Sequence, residues 1–419
     1  LARSRKYVEL TIERLSSSGD GVARETVGPN AGRVVFVKGT APGDRVLGNI
    51  EEEHRRFARA RVLRMLEEGP GRAEAFCPLF GECGSCTWQH LSPEVQRDAR
   101  QAFVSEALRK IPRETEDELP RPLVFADARQ GFRSRARLHV AGTSTGMAIG
   151  FRAAGSRSVV DVSECPVLDR ALNQEYGKLR GRLSEFRSRG VAMHGTVVLT
   201  SGDQGQVAVS PRVDGVDDDE LSNGTPVFRE TVAVHGKRAS LRVSPESFAQ
   251  ANRAMSDAIV ETLLSHWHRL PGDPERVVEL YAGGGNLTLP LALAGARVVA
   301  VEREGASVMD LLDTLRRTEL TQRVDVAAAD VDGLQGIAVL EKHRPDIVVL
   351  DPPREGAKLA CGAIARLKPR SVVYVSCDMA TLGRDLGVLA EAGYRLRDCV
   401  AFDMFPETPH VEALAVLVR

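Results

Sequence analysis

The sequence predicts a multidomain α/β protein with a small N-terminal β-barrel, a central α+β portion around a cysteine loop, and a C-terminal doubly wound domain. Three observations predict it. Residues 1–68 are short alternating runs split by Gly, Pro and Asp turns, the spacing of a small barrel. Residues 69–235 hold three closely spaced cysteines and strand-rich patterning. Within residues 236–419, near-continuous Val/Ile runs alternate with helical stretches, as in a parallel sheet buried on both faces. A chain of 419 residues has room for two or three domains at ~150 residues each.

Composition sets the outer limits. Hydrophobic residues make up 43% and charged residues 27%, enough apolar surface for ordinary cores and unlike a disordered chain. No apolar run reaches the roughly 18 residues of a membrane span, and the basic start Leu1-Ala2-Arg3-Ser4-Arg5-Lys6 lacks the apolar stretch of a secretory signal. Lys+Arg 56 against Asp+Glu 57 leaves a net charge of −1, so any nucleic-acid footprint must be local. Seven cysteines are too few for a disulfide scaffold at this length. They read as reduced thiols in the cytoplasm, catalytic or metal-binding.

In the barrel, Tyr7-Val8-Glu9-Leu10-Thr11-Ile12, Arg33-Val34-Val35-Phe36-Val37 and Arg45-Val46-Leu47-Gly48-Asn49-Ile50 read as strands, with turns at Gly19-Asp20-Gly21 and Ala41-Pro42-Gly43-Asp44. Glu51 to Arg64 opens with three acids and continues with Arg55, Arg56, Arg59, Arg61 and Arg64, either a solvated face or an RNA-facing one. Gly69-Pro70-Gly71 marks a boundary. After the cysteine loop comes a helix with Ser92 as N-cap and Pro93 at its first position, ended by the acidic, Pro-flanked residues 112–122. Residues 130–209 read as strand-rich, and Asp214 to Asn223 as an acidic loop. The buried parallel strands are Arg276–Leu280, Arg297–Val301, Asp346–Leu350 and Ser371–Val375.

Ligands of open α/β sheets bind beyond the carboxyl ends of the strands. There the sequence places Tyr281-Ala282-Gly283-Gly284-Gly285-Asn286, then Glu302, then Asp351-Pro352-Pro353-Arg354, then Ser376-Cys377-Asp378. A glycine loop, two carboxylates and a thiol thus share one edge. The loop lacks the third glycine of a dinucleotide fingerprint. Glu302 suits ribose hydroxyls, and with Asp-Pro-Pro downstream the expected ligand is S-adenosylmethionine rather than NAD; the bland alternative is a tight turn with no ligand. Asp-Pro-Pro loops hold planar bases in amino-group methyltransferases, yet those enzymes need no thiol. The position of Cys377 favours a nucleophile, which needs local help to ionise from a pKa of about 8.5. Cys361 and Cys399 read as buried structural thiols. Glu412 opens the last strand, Val411 to Val418, after the turn Phe405-Pro406-Glu407-Thr408-Pro409-His410. It is the candidate base if that strand starts near the end of the Cys377 strand, whereas His410 shapes the turn.

Cys77, Cys83 and Cys86, with Cys165 distant, offer four thiolates for a tetrahedral zinc or an iron–sulfur cluster. A single C-x-x-C pair, one wide spacing and an isolated Cys165-Pro166 favour a 4Fe-4S cluster of structural role; unligated buried cysteines are the remaining reading. Arg121, Arg129, Arg133, Arg135, Arg137, Arg152 and Arg157 stand against Asp127 alone. Arg133, Arg135 and Arg137 alternate and so share a strand face, fit to hold RNA phosphates beside Phe132 or simply to meet water.

Together these residues resemble the RNA uracil-C5 methyltransferase family, makers of 5-methyluridine in ribosomal and transfer RNA. The likeness spans nearly the whole chain. It rests on Ser247-Phe248-Ala249-Gln250-Ala251-Asn252, Leu280-Tyr281-Ala282-Gly283-Gly284-Gly285-Asn286-Leu287-Thr288-Leu289-Pro290, Asp351-Pro352-Pro353-Arg354, Ser376-Cys377-Asp378-Met379-Ala380-Thr381-Leu382 and Phe405-Pro406-Glu407-Thr408-Pro409-His410-Val411-Glu412. It implies a TRAM-like RNA-binding barrel over 1–68, a cluster-bearing central domain over 69–235 and a Rossmann-like S-adenosylmethionine-dependent methyltransferase domain over 236–419. It implies cofactor contacts at Gln250, Tyr281, Asn286, Glu302, Asp330 and Asp351. Cys377 would be the nucleophile and Glu412 the base, with Cys77, Cys83, Cys86 and Cys165 on a 4Fe-4S cluster (zinc being the lesser alternative). The cysteine set looks more like the 23S ribosomal-RNA branch than the bacterial transfer-RNA branch, although some cluster-bearing relatives modify transfer RNA. The implied enzyme is a cytoplasmic monomer with RNA as partner and no membrane. Asp378-Met379 departs from the family's Asn-Pro, and Asp330 stands where some relatives have Asn.

The implied reaction begins with addition of the Cys377 thiolate to uracil C6. Methyl transfer to C5, removal of the C5 proton by Glu412 and expulsion of the thiolate follow. The target nucleotide would be flipped from its stack, with Phe248 stacking nearby. Two rivals remain at this stage: an RNA amino-group methyltransferase, and a non-catalytic RNA-binding factor that keeps the methyltransferase shell.

Overall fold

The computed structural model describes residues 6–26, 30–115, 119–126, 128–142, 146–222, 226–267 and 276–419. The basic residues 1–5, the acidic residues 116–118, Asp127 and Asn223 lie outside the described residues. Strands β1 (Lys6–Thr11), β2 (Arg14–Leu15), β3 (Gly21–Arg24), β4 (Val34–Val37), β5 (Arg45–Glu53) and β6 (Phe57–Glu67) form one sheet in the order β1-β5-β6-β4-β3-β2. Leu10, Ile12, Ala23, Val35, Val37, Val46 and Ala58 fill its core, alternating with outward residues as a period of two requires. Glu51 to Arg64 is the β5–β6 hairpin, and its charges answer one another. Arg61 meets Glu51 at 3.1 Å, and Arg59 meets Asp20 at 3.1 Å and Glu52 at 3.7 Å. For these two arginines the solvated-face reading holds.

Helix α1 (Pro93–Leu108) starts as expected. Ser92 Oγ accepts the Val95 N–H at 3.3 Å, with Pro93 in the first turn, a cap of about 1 kcal/mol. The next strand, β7 (Arg121–Val124), leaves the middle of the chain to join the C-terminal sheet. The central sheet is built from β8 (Arg135–Gly142), β9 (Met147–Arg152), β10 (Val159–Asp161), β11 (Met193–Ser201) and β12 (Val207–Asp214), antiparallel in the order β10-β9-β8-β11-β12. Between β10 and β11 runs α2 (Arg170–Ser188), which corrects the strand-rich reading of 130–209. Asp169 caps it, accepting from Leu172 N at 2.7 Å, and Leu172, Tyr176, Leu179 and Leu183 form its buried stripe. Gly177 and Gly181 lower its intrinsic propensity; packing of that stripe on the sheet overrides them. Then follow α3 (Asp218–Leu221), a short helix inside the expected acidic loop, and the hairpin β13 (Val227–Glu230) and β14 (Ser240–Val243).

The C-terminal unit comprises α4 (Arg253–Trp267), β15 (Arg276–Leu280), α5 (Thr288–Leu293), β16 (Arg297–Glu302), α6 (Gly305–Arg317), β17 (Val324–Ala328) and α7 (Leu334–His343). It continues through β18 (Ile347–Leu350), α8 (Lys358–Leu367), β19 (Ser371–Ser376), α9 (Met379–Glu391), β20 (Arg395–Phe402) and β21 (Glu412–Val418). The sheet runs β17-β16-β15-β18-β19-β21-β20-β7. Strands β15 to β19 are parallel, as their Val/Ile runs predict. Successive residues serve opposite cores: Val277, Val349 and Val373 on one face, Val278, Val348 and Val372 on the other. Strand β21 lies antiparallel to β19 and β20, because a loop rather than a crossover helix joins it to β20. Among the described residues no helix is long and apolar enough to cross a membrane.

Candidate active site

The parallel register brings Leu280, Val301, Leu350 and Tyr374 level with one another. Tyr281, Glu302, Asp351 and Cys377 therefore emerge along one edge. Glu412 arrives from the opposite direction. Ser376 pairs with Ala413 as the last rung across β19 and β21, so Cys377 directly follows that rung and Glu412 directly precedes it, near enough for the Glu412 carboxylate to act on the thiol. The start of the last strand thus lies at the end of the Cys377 strand.

Glu412 is only 2% exposed. Burial, then the Asp351 carboxylate, lift its pKa well above the usual carboxylate range against the pull of Arg354. Burial, then the carboxylates of Glu412 and Asp351, push the Cys377 thiol up to about 12, again opposed by Arg354. Burial raises Asp351 to about 6, while a contact from Gln250 Nε2 at 3.5 Å works the other way. Three acidic groups crowd one another here, and a cation placed among them would draw protons off.

Two carboxylates on α9 set the flanking loops. Asp385 accepts the Ala357 N–H and the Tyr374 O–H, both at 2.7 Å, pinning the loop after Asp351 beside β19. In that loop Gly356 has φ +75°, and a Cβ there would come within 2.5 Å of Asp385. Asp378 caps α9, accepting from Thr381 N at 2.9 Å. The departure Asp378-Met379 therefore keeps a capping side chain, and Met379 occupies the first helical position, where proline also fits.

Next to this edge is a pocket of about 860 Å³, counted with its open mouth, lined by Gln250, Tyr281, Asn286 and Asp351 together with Phe248 and Glu279. Apolar walls with a few convergent polar groups are the make-up of a small-molecule site. Tyr281 has φ +61° and donates its hydroxyl to Asp332 at 2.7 Å. Asn286 Oδ1 accepts from Ser256 Oγ at 3.3 Å. Glu302 and Asp330 do not line the pocket wall. Glu302 braces the glycine loop, accepting the Gly283 N–H at 2.8 Å and the N–H groups of Arg303 and Glu304 at 2.8 and 2.7 Å. Asp330 meets Arg303 at 3.4 Å and accepts the Asp332 N–H at 3.3 Å.

Two residues of the site escaped the sequence reading. Glu279 is buried in the pocket floor, accepts from Thr288 Oγ1 at 2.6 Å, and is raised to about 8 by burial against that hydrogen bond. Asp310, on the buried face of α6, accepts from Ser244 N at 2.7 Å and from Ser244 Oγ and Ser247 Oγ at 2.6 Å, and also pairs with Arg242. It fixes the segment that presents Phe248 and Gln250. The signal for both was an acid inside an otherwise buried stripe.

Cys77, Cys83, Cys86 and Cys165 line one small pocket with Leu79, Phe80 and Phe151. Burial, then the neighbouring Cys165 and Cys83, push the Cys86 thiol up to about 12 against Gln89 and Arg133. Among the described residues no group of three or more His, Cys, Asp or Glu is found that could hold a metal ion. Cys361 and Cys399 are buried in the sheet core.

The arginine set divides. Arg121 bonds Asp398 at 2.9 Å and Arg129 bonds Glu407 at 2.6 Å, so both are structural. Arg135 donates to Thr200 Oγ1 at 2.7 Å and to the Pro245 carbonyl at 2.9 Å. Arg133 precedes β8 and lies 5.8 Å over Phe151. Arg137 and Arg152 stay exposed on the open face of the central sheet. Their positive field, after burial, lowers the pKa of His139 between them, with His194 adding to it.

Sheet order, glycine loop and the thiol–carboxylate pair define a Rossmann-type S-adenosylmethionine-dependent methyltransferase. The family model described as tRNA (Uracil-5-)-methyltransferase matches residues 217–419, and that of the TRAM domain matches residues 2–63. Over 98% of its length the chain is 34% identical to the 23S rRNA (uracil(1939)-C(5))-methyltransferase RlmD of Halomonas elongata, covering 89% of that protein. It is 32% identical to RlmD of Pectobacterium atrosepticum over 99% of this chain and 94% of that one. The fold matches the crystal structure of Pyrococcus abyssi tRNA (uracil-54, C5)-methyltransferase in complex with S-adenosyl-L-homocysteine. That match has a TM-score of 0.69 over 99% of this chain and 100% of that one, at 23% identity. The chain belongs to the RNA uracil-C5 methyltransferase family.

Proposed function

We propose that this protein methylates C5 of one uridine in 23S ribosomal RNA, in the cytoplasm, through a covalent adduct on Cys377. The observation that carries this reading is the meeting of Cys377 and Glu412 at the Ser376–Ala413 end of the β19–β21 pair, beside a pocket walled by Gln250, Tyr281, Asn286 and Asp351. Bound in that pocket, S-adenosylmethionine supplies a methyl group on an electrophilic sulfonium. The Cys377 thiolate adds to C6, which makes C5 electron-rich enough to take the methyl. Glu412, in its carboxylate form, then removes the C5 proton. The C5–H pair becomes the C5=C6 bond, and the C6–S pair returns to sulfur. Phe248, 65% exposed at the pocket mouth, stacks on the flipped base, while Gln250 and Asp351 orient it. Glu302 and Asp330 serve the ribose and adenine from beside the loop.

The preference for ribosomal RNA is supported by the similarity to RlmD proteins over nearly full length. The barrel and the open face of the central sheet carry the phosphates. Arg137, His139, Arg152, His194 and Arg212 share that face by strand register. Arg135, on the same face, bonds Pro245 in the segment that presents Phe248, so the basic track begins at the pocket mouth. RNA binding, cysteine site and chemistry fall mainly to 1–68, 69–235 and 236–419, with strand β7 (Arg121–Val124) lent to the catalytic sheet and the β13–β14 hairpin crossing the second boundary.

Cys77, Cys83, Cys86 and Cys165 would hold a 4Fe-4S cluster, each thiolate on its own iron, in an apolar lining that keeps water out. Zinc would gather the four sulfurs to about 3.8 Å of one another. What supports a bound group is that the four thiols line one small, mostly apolar pocket, and the single C-x-x-C pair with its wide third spacing favours the cluster over zinc. Iron and sulfide in equal amounts after anaerobic purification test it; zinc alone overturns it.

The function is tested by incubating the protein with S-adenosylmethionine and either 23S ribosomal RNA or bulk transfer RNA, then mapping 5-methyluridine by mass analysis. A single new 5-methyluridine in ribosomal RNA is expected. Methylation of transfer RNA instead overturns the substrate, and methylation of an exocyclic amine overturns the reaction.

A further inference from the structure

We propose that Glu407 is a positioning residue that couples the cysteine loop to Glu412, so that the state of the four thiols governs release of methylated RNA. The proposal rests on the reading of Glu412 as base. Glu407 sits in the loop between β20 and β21, is 0% exposed, and holds φ +67°. A non-glycine residue keeps that left-handed backbone only where its surroundings over-determine it, and here they do. The Glu407 carbonyl accepts the N–H groups of Thr87 and Trp88, both at 2.9 Å, and these two residues directly follow Cys86. Its carboxylate takes two bonds from Arg129, at 2.6 and 3.0 Å, and one from Gln96 Nε2 at 3.1 Å. Its own N–H donates to Gln96 Oε1 at 3.2 Å. The Arg129 guanidinium lies 5.6 Å over Phe76, the residue before Cys77. The rest of the loop is held from α1, where buried Arg100 donates to the carbonyls of Thr408 at 2.8 Å and His410 at 3.2 Å.

The strand carrying Glu412 therefore begins from a loop gripped by residues that flank the cysteines on both sides. Whatever fixes the four thiols fixes the donors at 87 and 88, and through them the loop. Glu412 is needed only once the methyl group is on C5. At that point Cys377 sulfur is bonded to C6, and the C5 proton must pass to the Glu412 carboxylate as the C6–S pair leaves. A base displaced by about 1 Å slows such a step roughly 100-fold, while thiol addition and methyl transfer continue. A loosened cysteine loop would thus leave the enzyme attached to its methylated product.

The test uses the full chain, a fragment of the substrate RNA and S-adenosylmethionine, comparing wild type with Glu407→Gly, Glu407→Gln, Cys86→Ala and Glu412→Gln. Glycine suits the left-handed backbone, so Glu407→Gly removes the carboxylate without adding strain. Expected is a denaturation-resistant methylated RNA–protein adduct in Glu407→Gly, released about 100-fold more slowly than in wild type, with unchanged first-turnover methylation and cofactor affinity. Glu407→Gln, which can keep its bonds to Gln96, should release at an intermediate rate, and Cys86→Ala should match Glu407→Gly. Normal release in Cys86→Ala overturns the coupling to the thiols, and normal release in Glu407→Gly overturns the part given to the Glu407 carboxylate. Joint loss of adduct, first-turnover methylation and cofactor affinity overturns both, being the mark of a merely structural role. Glu412→Gln separates the two levels. If it accumulates adduct and neither Glu407→Gly nor Cys86→Ala does, the coupling alone falls; if it accumulates none, the base assignment falls and the coupling with it.

Discussion

Cys377 and Glu412 flank the last rung between β19 and β21, the Ser376–Ala413 pair: a thiol just past the end of a parallel strand beside an acid at the start of an antiparallel one. The strand pairing that ends at Ser376 and Ala413 brings the two residues to one end of the sheet. The acid that raises the thiol's pKa is the same one positioned to take the proton later.

If Cys377 is the nucleophile, Cys377→Ala removes the covalent route altogether. Turnover should fall by roughly 10⁴-fold or more, while S-adenosylmethionine binds as in wild type. Single-turnover methyl transfer and calorimetric titration check the two halves. Retained turnover would reject the adduct.

The thiol at about 12 predicts how Cys377 reacts with iodoacetamide. Well below that value its thiolate fraction, and hence alkylation, rises about tenfold per pH unit. A cation in the pocket lowers the pKa. Sinefungin, with an ammonium where the cofactor has its sulfonium, should therefore speed alkylation of Cys377 at fixed pH, and neutral S-adenosylhomocysteine should not. Peptide mass analysis reads the site, and equal rates with both ligands would contradict the electrostatic account.

Glu279 makes a stability prediction with a definite sign. Its carboxyl is raised from the ordinary 4.5 to about 8, so the folded state keeps a proton that the unfolded chain loses above 4.5. Stability from this group is fully present below pH 4.5 and is lost as pH climbs towards 8. Glu279→Gln, which can still accept from Thr288, should flatten that decline. Its Tm should match wild type at acid pH and exceed it by roughly 2–4 °C or more above pH 8. Parallel Tm–pH curves would refute the raised value.

On the open face of the central sheet, Arg137→Gln with Arg152→Gln should raise KM for RNA and leave kcat unchanged. Each lost phosphate contact should flatten the log K against log salt slope by roughly 0.7–0.9. An unchanged slope would move the RNA elsewhere.

Much of this was readable in advance because the parallel strands are buried on both faces and so announce themselves as unbroken Val/Ile runs. Their carboxyl ends then place Tyr281, Glu302, Asp351 and Cys377 by topology alone. The meeting of Cys377 and Glu412 was less accessible, since it depends on the antiparallel register of β21, which pairing rather than composition decides. Helix α2 was hidden by its two glycines although Leu172, Tyr176, Leu179 and Leu183 mark its stripe. The arginine row misled in part, because Arg121 and Arg129 find their carboxylates at Asp398 and Glu407, hundreds of positions away. Local sequence carries no trace of such partners.

Strand β7 has a consequence for how this chain is assembled. Residues 121–124 complete the outer edge of a sheet whose other strands begin at residue 276. The five-stranded sheet is thus an excursion, spliced between one strand of the catalytic layer and all the rest. Cutting the polypeptide after residue 235 would strip β20 of its outer neighbour, leaving only β21 beside it, and bare a row of main-chain amides and carbonyls, a template for self-association. The methylating half is thus not a detachable module, because a strand from the preceding half completes its outer edge.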